Sequence, residues 1–368
     1  MIDSKVARRK KDTNGPPPGK YMIVFVDDLN MPKKEEYGAQ PPIEVIRQWM
    51  DHGGWFNRKE MTFLNIVDIV YLSAMGPPGG GRSFITNRLL RHFNLVTYCE
   101  LEDHDVKMIF NTKLSAYLKA FVPEVQETVV KVTDATLALY KNVEIEMLPT
   151  PSRSHYTFNL RDMANVIQGM ASSHPKAIEN SSTFIKLWAH EFEREFGDRL
   201  ISVEDRGWLR EQTRLQITET FESSPDVTYE NARLIFGDFL IPGAEPRIYA
   251  EIDDMKKFIG IIDEYLEGYN DRNKKKQMKL VMFLDACTHV SRICRILRQP
   301  RGNALCLGVG GSGRQSLCKL AAYVVEYEIH QIEITKSYNM TMWHDDLKEV
   351  LKYAGLKNEP VCFLFVDT

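Results

Sequence analysis

Gly308-Val309-Gly310-Gly311-Ser312-Gly313-Arg314-Gln315-Ser316 decides how this chain is read. An apolar, strand-like segment, Asn303 to Leu307, leads into it. Leu317, Leu320, Ala321 and Val324 follow at helical spacing. Strand, glycine-rich turn and helix, in that order, are the setting of a phosphate-binding loop. Glycines let successive backbone N–H groups turn inward without a Cβ in the way. The helix N-terminus adds unpaired donors and partial positive charge. The spacing from Gly308 to Gly313 fits GxxxxGK[ST], yet Arg314 and Gln315 stand where Lys and a hydroxyl residue belong, and Ser316 comes one position late. Arg314 offers a permanent charge in a planar fork rather than a compact ammonium. Gln315 is a poor replacement for a hydroxyl on Mg²⁺. On spacing alone, a glycine-rich strand–helix turn without a ligand remains the alternative.

Two further segments bear on the same chemistry. Val361 to Val366, ending in Asp367, has the shape of a Walker B strand, whose acid joins the Mg²⁺ shell beside the phosphates. Thr368 follows where a carboxylate usually polarises the attacking water, so weak hydrolysis is expected at this site. Met22 to Val26 repeats the pattern and ends in Asp27-Asp28. Asp27 suits Mg²⁺, and Asp28, one methylene shorter than Glu, suits the orientation of water. A glycine-rich loop precedes Val361–Val366 but not Met22–Val26. The expectation is a window cut from a tandem array, starting after one phosphate loop and stopping inside the next module.

The rest of the 368 residues supports a multidomain α/β chain. Hydrophobic residues at 43% and charged residues at 26% are an ordinary globular balance. With 47 basic and 50 acidic residues the net charge is −3, which argues against a nucleic-acid binder built on bulk charge. No apolar run approaches the roughly 18 residues of a membrane span, and Met1 to Lys20 is polar and basic without a signal-type apolar core. No membrane partner is expected. The six cysteines form no CxxC pair and read as buried thiols of a reducing compartment. His190-Glu191 opens like HExxH, but Arg194 occupies the second histidine position, so no zinc site is expected there.

Three blocks follow from composition. In the first, about 1–105, Tyr21–Val26 and Ile66–Met75 read as strands buried on both faces of a parallel sheet. Pro41-Pro42 starts a helix with Ile43, Ile46 and Met50 on its apolar stripe, Phe84–His92 reads as a short helix, and Leu95–Cys99 reads as a third strand. The second block, about 106–222, carries helical patterns near 113–121, 125–140, 160–170, 183–196 and 204–221. The third, about 223–368, holds helices near 253–269, 278–297, 314–324 and 345–353, the last ended by Gly355, and strands near 303–307, 329–334 and 361–366.

Several long segments then resemble dynein heavy chains, the axonemal group in particular. They are Phe25-Val26-Asp27-Asp28-Leu29-Asn30-Met31-Pro32, Tyr37-Gly38-Ala39-Gln40-Pro41-Pro42, Ala74-Met75-Gly76-Pro77-Pro78-Gly79-Gly80-Gly81-Arg82 and Gly302-Asn303-Ala304 through Leu317. Leu148-Pro149-Thr150-Pro151, His155 to Asp162 and Leu234 to Phe239 are similar to that family as well. The resemblance covers nearly the whole chain. It implies AAA+ P-loop NTPase modules, each a parallel sheet with flanking helices, joined by a small all-helical domain. Residues 1–105 would be the C-terminal part of a third large domain, 106–222 its small helical domain, and 223–368 a fourth large domain truncated at its Walker B strand.

The resemblance also assigns roles. Gly308, Gly310, Gly311, Gly313, Arg314, Gln315 and Ser316 would hold ATP or ADP in the fourth module, and Arg161, on the small domain of the third, would be a sensor touching that module's own nucleotide. Asp27 and Asp367 would hold Mg²⁺. Asp28 would orient water, and Arg91 would act as an arginine finger toward a neighbouring module. Gly76 falls where many AAA+ proteins carry a polar sensor. The implied function is a regulatory share in an ATP-dependent microtubule motor of the ciliary axoneme, in the cytoplasm and cytoskeleton. Its partners would be the other modules of the same heavy chain and dynein intermediate and light chains; microtubules would be reached only through a stalk that lies outside this sequence. The alternative is an inert AAA+ fragment with a structural or interaction role. Since neither module holds a complete catalytic set, whether this chain is itself an enzyme stays open in the sequence.

Overall fold

The structure is a computed structural model that describes residues 2–79, 81–229 and 233–366. It divides into two compact units, residues 1–100 and 101–368.

In the first unit, strands β1 (Ala7–Lys10) and β2 (Thr13–Gly15) form an antiparallel pair. Strand β3 (Met22–Val26), helix α1 (Pro41–His52), strands β4 (Gly54–Asn57), β5 (Thr62–Ile66) and β6 (Ile69–Ser73), and the short helix α2 (Asn87–Leu90) follow. β3 and β6 pair in parallel, from Met22 opposite Ile69 to Val26 opposite Ser73. The others form a separate sheet in the order β1-β2-β5-β4. This second sheet was not expected from the sequence. Its first strands are basic and polar, and a strand that buries one face weakly leaves little alternation to read.

Helix α1 begins at the two prolines, whose fixed φ suits the first turn. It ends at Gly53, which takes φ 71° and returns its N–H to the Trp49 carbonyl. Ile43 is buried against Leu29, Ile85 and Leu89, with Ile46 and Met50 packed alongside. Trp49 packs against Tyr71 with ring centroids 5.0 Å apart and the planes tilted by 54°, so α1 covers one face of the β3–β6 pair. The other face presents Ile23, Phe25, Val70 and Leu72, all largely exposed. Within this unit, the expectation of burial on both faces is therefore corrected: continuous apolarity predicts what a strand can bury, and one helix covers a single side. Leu95–Cys99 is not a strand; Leu95, Val96 and Tyr98 are exposed, and no described strand pairs with them.

The second unit opens with helices α3 (Asp103–Tyr117), α4 (Pro123–Glu127), α5 (Val129–Glu146), α6 (Leu160–Met170), α7 (Ser181–Glu195), α8 (Val203–Glu219) and α9 (Pro225–Thr228). Their apolar stripes meet around Leu114, Val132, Leu139, Met163, Phe184 and Trp188. Local caps set the boundaries. Asn159 and Asp162 form a capping box on α6, and the Asn180 side chain accepts from the Thr183 N–H at the start of α7.

A short antiparallel pair, β7 (Phe236–Gly237) and β8 (Ala250–Glu251), leads to helices α10 (Met255–Arg272), α11 (Leu284–Arg298) and α12 (Arg314–Val324). Strand β9 (Glu328–Gln331), helix α13 (Met340–Lys357) and strand β10 (Val361–Leu364) complete the unit, with β9 and β10 parallel in register from Glu328 opposite Val361. A second core gathers Phe258, Ile262, Cys287, Val290, Leu320 and Val324. Three expectations shift. The helix expected from Met278 starts at Leu284, because Asn270 holds the Met278 backbone through both its N–H (2.7 Å) and its carbonyl (3.0 Å). Helix α13 passes through Gly355 and stops at Asn358, which takes φ 55°. Residues 303–307 are not assigned as a strand: Leu305 and Leu307 are exposed, and no described strand lies beside them to supply the pairing a strand needs.

Candidate functional site

The glycine loop is built as an open cradle. Gly311 and Gly313 adopt φ 78° and 77°, a region a side chain enters only with strain. A Cβ at Gly310, Gly311 or Gly313 would meet nothing within 4 Å, so the space beside each is open. Gly313 is the N-cap of α12 and makes no side-chain cap bond. The first N–H to close the helix is that of Leu317, which bonds the Gly313 carbonyl at 2.9 Å. The donors of Arg314, Gln315 and Ser316 precede it, at the positive end of the helix. The Arg314 side chain folds back toward Gly308, its Cδ 3.5 Å from where a Cβ there would sit. Among the described residues Arg314 makes no ion pair. These features fit a phosphate group: free donors, a helix N-terminus and a cation beside the start of the loop. Gln315 brings no hydroxyl to the first turn. The companion acid Asp367 lies outside the described residues. Among those described, no cluster of three or more His, Cys, Asp or Glu could hold a metal ion.

In the first unit, Asp27 follows β3 and is exposed, with its Oδ1 accepting the Asp28 N–H at 3.1 Å. Asp28 itself takes φ 48° and accepts from Arg82 Nη2 at 3.0 Å. That partner was missed in the sequence; 54 residues separate the two. Gly76 explains the reach of Arg82: a Cβ there would lie 1.8 Å from Arg82 Nη1. The space beside Gly76 is thus occupied by the Arg82 guanidinium. Beside it, Asn30 is buried and donates to the Gly76 carbonyl at 2.8 Å, while its Oδ1 has no partner among the described atoms.

Arg91 sits at the C-cap of α2, more than half exposed, and donates to Asp51 Oδ1 at 2.7 Å. His92 (2.8 Å) and Arg47 converge on the same carboxylate. The Arg91 bond foremost, with those of Arg47 and His92, holds Asp51 down to about 2. Arg161 lies in the exposed first turn of α6, its backbone N–H bonded to Asn159 Oδ1 at 2.8 Å. Its guanidinium makes no ion pair among the described residues, and no hydrogen bond joins it to the glycine loop.

His190-Glu191, read from the sequence only as an incomplete zinc motif, forms a buried link between α7, the approach to β8 and α11. Glu191 is fully buried; it accepts from the Tyr249 hydroxyl at 2.7 Å and from Arg295 Nε at 3.0 Å. His190 Nδ1 lies 3.1 Å from the Leu234 carbonyl, and Nε2 lies 3.1 Å from the Tyr249 hydroxyl. A carbonyl can only accept, so the neutral ring carries its proton on Nδ1. Burial, with Arg194, Arg295 and Arg292 nearby, keeps His190 well below the usual histidine range. Burial pulls the Arg295 pKa down, but the charge and hydrogen bonds of Glu191 outweigh it, so the net shift is upward. A cavity of about 410 Å³ adjoins this link, lined by Arg194, Arg199, Arg292, Arg295 and Arg301 among others. Burial and then the charge of Arg194 press Arg292 down to about 10.

A glycine cradle at a helix N-terminus, a parallel strand pair and an adjoining helical domain define a P-loop protein of the AAA+ class. The comparisons agree. Residues 1–101 match the family described as P-loop containing dynein motor region, residues 132–229 match the AAA+ lid domain, and residues 278–368 match the P-loop containing dynein motor region D4. The whole chain is 46% identical to dynein axonemal heavy chain 1 of Homo sapiens, 44% to dynein axonemal heavy chain 3 and 41% to dynein axonemal heavy chain 6 of the same species. All of this chain, but 9% of each relative, is covered. The chain is thus a homologue of axonemal dynein heavy chains, 41–46% identical over its full length, and spans about a tenth of the length of the relatives it matches. P-loop AAA+ domains of this kind imply nucleotide binding, and the family implies a heavy chain of several modules.

Proposed function

We propose that this chain supplies regulatory nucleotide-binding AAA+ modules to an ATP-dependent microtubule motor of the ciliary axoneme. Residues 1–105 are read as part of a third large domain, 106–222 as its small helical domain and 223–368 as a fourth large domain; the match of residues 278–368 to region D4 supports the last. The observation that carries the reading is the open loop, with Gly311 and Gly313 at positive φ ahead of the uncapped turn of α12.

In that site the N–H groups of the loop and of the first turn bind the phosphates of ATP or ADP, and Arg314 adds charge at the mouth. Mg²⁺ would neutralise phosphate charge, with Asp367 as its protein ligand at this module and Asp27 at the preceding one. Asp28 remains the group to orient water, but Arg82 occupies one of its oxygens. That favours slow turnover at the third module, as Gln315 in place of a hydroxyl does at the fourth. Arg161 serves as a sensor toward nucleotide. Arg91, steadied by Asp51, serves as a finger toward a neighbouring module. The other modules of the heavy chain, and intermediate and light chains, are the partners of this reading.

The test is equilibrium binding of fluorescent ADP and ATP, with and without Mg²⁺, to the parent chain and Arg314→Ala. A charged hydrogen bond contributes about 1.5–3 kcal/mol, so the variant should bind roughly ten- to a hundredfold more weakly. Equal affinity of parent and variant, or no binding by the folded parent, would refute the role of the loop.

A further inference from the structure

The phosphate loop is bracketed by two thiols. Cys306 lies two residues before Gly308, and Cys318 lies in the second turn of α12; their Sγ atoms are 3.8 Å apart. Both are free and half-buried, so each is within reach of a small oxidant. We propose that Cys306 and Cys318 are a peroxide-sensitive thiol pair that closes into a disulfide across the base of the glycine loop.

Chemistry sets the order of events. The Cys318 thiol bonds to Cys306 sulfur, and with the charge of Arg314 added, this brings the Cys306 thiol down to about 7 against the opposing effect of burial. Cys318 moves the other way, because its proton is the one held in that contact. Cys306 is therefore the thiolate near neutral pH, and the thiolate is the nucleophile. It attacks one oxygen of hydrogen peroxide; the O–O bond breaks, hydroxide leaves, and Cys306 becomes a sulfenic acid. Cys318 sulfur then attacks the Cys306 sulfur, its proton leaves with the displaced hydroxyl as water, and the S–S bond forms. Two thiols and one peroxide give one disulfide and two waters. Closing the pair requires the sulfurs to move from 3.8 Å to about 2.05 Å apart. The product would tie the segment before the loop to the helix after it, enclosing the stretch 307–317.

Cys362 is the nearby competitor: it is half-buried on β10, and its charge acts on Cys318. Exposed Cys99, in the other unit, is the internal reference.

The experiment treats the full chain with increasing hydrogen peroxide at neutral pH, quenches with an alkylating agent, and maps the peptides by mass spectrometry. The expected result is loss of about 2 Da per chain, restored by dithiothreitol, with the Cys306 peptide joined to the Cys318 peptide before Cys99 is consumed. In Cys318→Ser, dimedone should trap a sulfenic acid at Cys306; in Cys306→Ser, the intramolecular bridge should vanish. A bridge from Cys318 to Cys362, bridges between chains, or oxidation of Cys99 ahead of Cys306 would overturn the proposal. The peptide map of the parent decides the question even where a variant folds poorly. Nucleotide does not enter the measurement, so its outcome is independent of the phosphate-loop reading.

Discussion

Replacing Arg295 by Met tests whether the buried link between α7 and α11 holds the second unit together. Glu191 has no exposed surface, and its two oxygens are served by Tyr249 (2.7 Å) and Arg295 (3.0 Å). Methionine fills much of the arginine stem but removes the guanidinium, leaving a buried carboxylate with one neutral donor. Breaking a buried pair from one side costs about 3–5 kcal/mol, well above the roughly 0–1 kcal/mol of a surface pair. For a unit of this size each kcal/mol moves the melting temperature by about 2–4 °C, so a fall of roughly 6–20 °C is expected. Urea denaturation should show a lower midpoint with an unchanged slope, since the surface exposed on unfolding is the same. The double variant Arg295→Met, Glu191→Gln removes the stranded charge while keeping an acceptor for Tyr249, and should regain more than half of the loss. A loss below about 1 kcal/mol in Arg295→Met, or a double variant no more stable than the single one, would refute the reasoning.

Protonation of His190 should destabilise the same region. Its folded pKa is depressed by burial and by the facing Arg194, Arg295 and Arg292, so the unfolded chain takes up the proton first. The stabilisation is thus complete above the unfolded value of about 6.5 and is lost progressively as pH falls below it. Urea midpoints between pH 7 and 5 should fall in the parent and fall less in His190→Phe. Gly169→Ala and Gly260→Ala, both within helices, should differ in sign. A Cβ at Gly169 would lie 1.7 Å from Glu191 Oε2, and overpacking there should cost about 1–3 kcal/mol or more; at Gly260 nothing lies within 4 Å, so up to about 1 kcal/mol should be gained. Denaturation of both variants checks this. Finally, peroxide-treated protein should bind fluorescent ADP more weakly than reduced protein and recover with dithiothreitol, because the cross-link displaces loop donors whose positions bind phosphate; unchanged affinity after verified bridging would show that the loop tolerates the constraint.

Much of this molecule is legible in its residues because the controlling interactions are local. Prolines at 41–42, the Asn159–Asp162 box and the stripe of α12 fix helices by neighbours within a turn or two. The glycine loop is likewise written in consecutive residues, since only glycine takes its φ values without strain. Strand placement was less legible. Leu95–Cys99 and 303–307 have strand composition, but a strand exists only where a partner offers its ladder, and among the described residues none does. The paired sites were not legible at all. Arg82 meets Asp28 across 54 residues, and Arg295 meets Glu191 across 104. Cys306 and Cys318, 12 apart, face each other only because the chain turns through the loop between them. The sequence determined which backbone conformations were affordable and which family the chain joins. The tertiary structure decided which charges, glycines and thiols meet, because those encounters depend on how distant segments pack rather than on any spacing along the chain.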